Sequence, residues 1–170
     1  MLARHFHTAS QMTMMKTIKR WLWAIPLFLL AAPAHADYRP GDFGIGIGSG
    51  TMTRLGFSFK NFMNDNAVQV NLGCHGWSCD GIGLSGDYLF EMPALAEGRV
   101  MSLAWNAGLG PGIGLYSSTF AFAGAGVLGL EGNFKPLPLD VVVEWRPTLL
   151  VVPDVRFDPA EFSAHARLWF

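Results

Sequence analysis

The sequence predicts an all-β chain: an eight-stranded antiparallel up-and-down transmembrane β-barrel behind a cleaved signal peptide. Three observations predict it. A basic cluster near the amino end is followed by a short apolar run that stops at a small-x-small tripeptide. Beyond it, apolar and polar residues alternate with period two in segment after segment, the spacing of strands and not of helices. The chain then ends on an aromatic, Phe170, at the close of an alternating stretch.

Lys16, Lys19 and Arg20 precede an apolar run from Trp21 to Ala32. About a dozen residues is the length of a signal-peptide core and falls short of the ~20 that a membrane-spanning helix needs. Ala34-His35-Ala36 then matches the pattern a signal peptidase reads, so cleavage is expected between Ala36 and Asp37, with Met15 as an alternative start. Residues 1–36 form the signal and 37–170 one barrel domain, because the 134 residues that remain suffice for one domain and not two. The mature part carries 8 Lys and Arg against 13 Asp and Glu, a balance of −5 that argues against a nucleic-acid partner.

Frequent glycine disfavours helix throughout the mature chain. The first strand is expected around Phe43 to Gly48. In the second, Leu55, Phe57 and Phe59 oppose Arg54, Gly56, Ser58 and Lys60. Val68, Val70 and Leu72 then oppose Gln69 and Asn71, and Ile82, Leu84, Tyr88 and Phe90 oppose Gly83, Ser85 and Asp87. Met101, Leu103, Trp105 and Leu109 make the fifth apolar face, and Phe120, Phe122, Leu128 and Leu130 the sixth. The seventh sets Leu139, Val141, Val143, Trp145 and Leu149 against Asp140, Glu144, Arg146 and Thr148. The last sets Phe162, Ala164, Ala166, Leu168 and Phe170 against Ser163, His165, Arg167 and Trp169.

Such strands fit a soluble sandwich or lipocalin-like barrel with the apolar face inside. They also fit an outer-membrane barrel with that face on lipid. Composition favours the second. The polar faces hold few lysines and many glycines, alanines and serines, and the mature chain has only 21 charged side chains, few for a water-exposed surface. Aromatics near strand ends (Tyr88, Phe90, Phe120, Phe134, Trp145, Trp169 and Phe170) read as interfacial girdles.

Turn residues at 63–66, 91–98 and 135–138 place three connections on the periplasmic side. Residues 49–53, 74–80, 111–119 and 152–160 become the outer connections. Cys74 and Cys79, the only cysteines, fall in one outer loop. Beyond an inner membrane a disulfide is expected of them rather than a zinc or redox site, and closing so short a loop adds about 2 kcal/mol.

Several short stretches resemble the small eight-stranded outer-membrane proteins grouped with the OmpA/OmpX/OmpW-like barrels. They are Phe43-Gly44-Ile45-Gly46-Ile47, residues 64–72, Gly86-Asp87-Tyr88-Leu89-Phe90, Gly129-Leu130-Glu131-Gly132-Asn133-Phe134 and residues 138–144. The likeness spans most of residues 42–170, apart from the Cys74–Cys79 insertion. It implies a fold and a location in the bacterial outer membrane, and no established activity. The closing Leu168 and Phe170 resemble the signal read by the barrel-assembly machinery, an expected partner along with outer-membrane lipid and lipopolysaccharide.

The inward set holds Arg54, Lys60, Asp87, Glu131, Asp140, Glu144, Arg146 and Arg167, four bases and four acids. Buried charge is costly unless paired, so a salt-bridge network is expected in the lumen. An eight-stranded barrel is just filled by its side chains, which predicts a closed interior rather than a pore. Glu131, Glu144, Arg146 and Arg167 are expected to interact, since they lie on neighbouring strands. Ser163, His165 and Glu161 can be drawn as a triad for lipid hydrolysis or acyl transfer, but Ser and His so close on one strand recur by chance. Gly44 to Gly48 lacks the helix and Lys-Ser pair of a phosphate loop, and its glycines read as wall packing. The expected role is structural or surface-interacting, with no catalytic residue, cofactor or metal. A narrow pore or carrier for small solutes is the alternative, and a lipid-modifying enzyme a further one.

Overall fold

The computed structural model describes residues 41–76 and 78–170. The expected signal peptide and its cleavage point lie outside the described residues. Ten strand segments follow one another: β1 (Phe43–Gly50), β2 (Thr53–Met63), β3 (Asn66–His75), β4 (Gly81–Glu97), β5 (Met101–Tyr116), β6 (Thr119–Phe134), β7 (Leu139–Trp145), β8 (Thr148–Val152), β9 (Arg156–Asp158) and β10 (Phe162–Trp169). Every pairing is antiparallel. Successive strands pair from β1 to β7, and β10 lies between β7 and β1, which closes the ring.

The ring has eight wall positions. Both β7 and β8 pair with β6, so they share one position, interrupted at Arg146-Pro147. Pro147 has no N–H to give the ladder, yet its carbonyl accepts from Gly126 N at 3.0 Å. Short β9 pairs with β8 and continues the eighth position beyond residues 159–161. The closed ring leaves no free edge along its eight positions, and only β9, paired on one side with β8, keeps an unpaired flank.

Period-two alternation decides which way each side chain points, and its sense is the reverse of a soluble barrel. Among the described residues, nineteen polar or charged residues are buried, whereas only nine apolar ones are, five of them alanine. By contrast 34 large apolar side chains are exposed, with Phe57 at 72% and Leu109 at 65%. Trp169 departs from the girdle expected of it. It is 2% exposed and points inward, stacked on Phe62 at 5.0 Å, where the two rings floor the lumen.

Several strands outrun their expected limits. Residues 91–97 continue β4 instead of forming a connection, because the bulge between Met92 and Ala96 absorbs Pro93. Pro111 lies within β5, so that hairpin turns only at Ser117-Ser118, both at positive φ. Two-residue turns also join β1 to β2 at Thr51-Met52 and β2 to β3 at Asn64-Asp65. The turns after β1, β3, β5 and β8 mark one end of the barrel, called the mouth below. Residues 41–42 and Phe170 lie at the opposite end, the base, where Asp42 N donates to Phe170 O at 2.9 Å.

The first turn folds inward rather than outward. Thr51 is fully buried, and a Cβ at Gly112 of β5 would meet Thr51 Cγ2 at 2.8 Å. A glycine is required there. The tip of the first hairpin thus occupies the lumen just below the mouth.

Candidate functional site

The interior holds two linked charge clusters. Toward the base, Lys60 of β2 donates to Glu131 of β6 at 2.5 Å, across the lumen. Glu91 Oε1 stands 2.8 Å from the same ammonium, near enough for attraction but off the hydrogen-bond direction. Arg167 of β10 grips Asp140 of β7, Nε at 3.0 Å and Nη2 at 2.8 Å from Oδ2, while its Nη1 donates to Gln69 Oε1 at 2.5 Å.

Toward the mouth, Arg146 donates to Asp87 and Glu144, each at 2.7 Å, and its Nη2 to Thr51 Oγ1 at 3.0 Å. Glu144 also accepts from Gln69 Nε2 at 3.0 Å, Ser163 Oγ at 2.7 Å and His165 Nε2 at 3.1 Å. Gln69 therefore joins the clusters, its carbonyl in one and its amide nitrogen in the other. Two-partner guanidinium and carboxylate bonding of this kind is the stronger, more directional class of hydrogen bond.

Seven of the eight expected lumen charges lie in this interior: Lys60, Asp87, Glu131, Asp140, Glu144, Arg146 and Arg167. Arg54 does not join them. It has the inward parity, but it stands one residue into β2 at the mouth, exposed. Glu91 takes part instead, because β4 continues past the expected turn. The buried set is three cations against five carboxylates, not four against four. The expected neighbour pairing holds for Arg146 with Glu144, whereas Glu131 reaches across to Lys60 and Arg167 takes Asp140. Gln69, Asn71, Asn106, Ser58 and Thr51 were not among the expected charges. Strand parity marks Gln69, Asn71 and Ser58 as inward, but nothing in the sequence marks Thr51.

The triad drawn from Ser163, His165 and Glu161 does not form. Ser163 and His165 both donate to Glu144, and Glu161 lies at the mouth. A different chain does form: Ser58 Oγ is 3.0 Å from His165 Nδ1, and His165 Nε2 is 3.1 Å from Glu144. These are the group types of an acyl-transfer relay. The Ser58 hydroxyl is wholly buried, however, so no substrate carbonyl reaches it in this conformation.

The mouth holds a half-open pocket of about 100 Å³, lined by Thr53, Arg54, His75, Arg156, Asp158 and Glu161 among others. Cys74 and Cys79 form a disulfide across the adjoining β3–β4 turn. His75 beside it stacks on Tyr116 at 4.3 Å, and its Nδ1–H donates to Met52 O at 3.2 Å. On the outer wall, Gly124 and Gly126 of β6 leave an apolar furrow flanked by Leu109, Pro111, Leu149 and Phe157. Among the described residues no group of three or more His, Cys, Asp or Glu has the arrangement of a metal site.

The chain matches no known family model, no curated protein and no solved structure at a significant level. The geometry of the barrel alone carries the functional reading.

Proposed function

We propose that this chain is a small bacterial outer-membrane β-barrel protein with a side-chain-filled lumen, acting structurally or through its outer surface rather than as a conduit. The observation that carries the reading is the inversion of its polarity. Soluble monomers rarely expose contiguous apolar patches beyond a few hundred Å², whereas here the outward row of nearly every strand is apolar. At about 25 cal/mol per Å², wetting that wall costs far more than a domain's net stability, and lipid removes the cost. The interior supports the closed lumen. The Lys60–Glu131 bond spans it, Arg146 holds the Thr51 tip within it, and Trp169 with Phe62 floors it.

Leu168 and Phe170 are the proposed recognition signal for the assembly machinery. Both point outward, and Phe170 stacks on Phe43 at 5.6 Å beside the closing seam. Lipopolysaccharide is the proposed neighbour of the mouth. Membrane fractionation with heat-modifiable gel mobility tests the location, and planar-bilayer recording tests the lumen. Recovery as a soluble periplasmic protein would refute the first, and steady single-channel conductance the second.

A further inference from the structure

We propose that the mouth pocket is a binding site for the acidic group of a hydroxylated solute, the chemistry of a carboxylated or phosphorylated sugar. This rests on the reading above, which sets the mouth toward the outside. The pocket is assembled from five strands, β1, β2, β3, β8 and β9: Thr53 and Arg54 come from β2, His75 from β3, and Arg156 and Asp158 from β9, with Glu161 just beyond.

Two guanidiniums share this space, and among the described residues no ion pair engages Arg54, Arg156, Asp158 or Glu161. Elsewhere in the barrel every arginine that faces the lumen is matched to a carboxylate. The contrast is local to the mouth. A guanidinium presents its N–H groups in a fork that fits a carboxylate or phosphate.

The second observation is Thr53. It is 2% exposed, it lines the pocket, and its Oγ1 has no hydrogen-bond partner. A buried hydroxyl without a partner is an exception that calls for one. Asp158 and Glu161 would repel a bare anion, but they accept hydroxyl protons. With Nδ1–H committed to Met52, His75 Nε2 is a further acceptor. Donors for an acid and acceptors for hydroxyls therefore line one pocket. The pocket's volume of about 100 Å³ is several times the ~10–15 Å³ that one water needs, room for an acid group with the rest of the solute outside the mouth.

The test is calorimetric titration of the mature chain refolded in detergent with glucuronate, glucose 6-phosphate, glucose and inorganic phosphate. The acidic sugars should bind at least about tenfold more tightly than either control, a difference of one step on the affinity scale. Arg54→Gln and Arg156→Gln should each weaken them by about the same factor, with heat-modifiable mobility retained because both residues are exposed. Acidic sugars that bind no better than glucose, or as well after both substitutions, would overturn the proposal. A wild-type chain that binds none of the acidic sugars yet keeps heat-modifiable mobility sinks this site alone, whereas a wild-type chain without heat-modifiable mobility sinks the barrel reading beneath it. Competition by phosphatidylcholine vesicles doped with lipid A, and not by plain ones, assigns the ligand to a lipid headgroup. Absence of that competition assigns it to a free solute.

Discussion

Replacing Arg146 with leucine removes the cation that faces two carboxylates, and the structure says which one suffers. Glu144 keeps donors from Gln69, Ser163 and His165. Asp87 keeps only Gln69 Nε2, at 3.5 Å, which is beyond a good hydrogen-bond length. All three charged side chains are fully buried, so Asp87 is left as an uncompensated charge. Breaking a buried pair in this way costs about 3–5 kcal/mol, while replacing both partners by apolar groups of similar volume is often near neutral. R146L should therefore lose about 3–5 kcal/mol, and D87L/R146L should recover most of it. Urea titration of the protein refolded in lipid vesicles, followed by tryptophan fluorescence and by gel mobility, measures both. A loss below about 1 kcal/mol, the value of an exposed pair, would show that water screens the lumen and would refute the dry-core argument. So would a double variant no more stable than the single one.

Gly124→Leu should leave stability within about 0.5 kcal/mol of wild type, because a Cβ there meets nothing within 4 Å. Gly46→Val should disrupt folding in the same urea titration, because its Cβ would stand 2.7 Å from Arg167 Cα and 2.8 Å from the Ala166 carbonyl carbon, both backbone of β10. A fluorophosphonate probe should leave Ser58 unmodified in the folded barrel, and mass spectrometry that finds the adduct would overturn the closed lumen. At the last residue of β4, hydrogen bonds from Lys135 and then Ser102 hold the Glu97 carboxyl below its ordinary range. Its small stabilising effect is present above the ordinary carboxyl pKa and is lost as pH falls through the lowered one. Comparing the pH dependence of unfolding in wild type and Glu97→Gln checks this, and identical acid limbs would contradict it.

Strand existence and facing were legible because alternation is a local property. Lys60, Asp87, Glu131, Asp140, Glu144, Arg146 and Arg167 could be placed inside by parity alone. Partners were not, because Lys60 meets Glu131 across the lumen, 71 positions away in sequence, and strand adjacency predicts only neighbours. Arg54 shows the limit of parity. It gives the side a residue faces but not its depth, and depth depends on where each strand begins. Pro93 and Pro111 read as turn signals, yet a bulge and a place within the wall absorb them. Trp169 was assigned to a girdle by residue type, although its parity with Arg167 and His165 points it inward.

The Lys60–Glu131 bond has a consequence for assembly. Wall hydrogen bonds tie each strand only to its two neighbours, and a slip of two residues at any seam restores them and keeps the apolar row outside. Such a slip moves a side chain by about 7 Å along the wall, which no charge–charge contact survives. Bonds that cross the interior thus sense an error that the wall tolerates. The lumen acts as a register gauge: a chain that has paired every strand but misaligned one carries buried, unmatched charges until it reopens and pairs again.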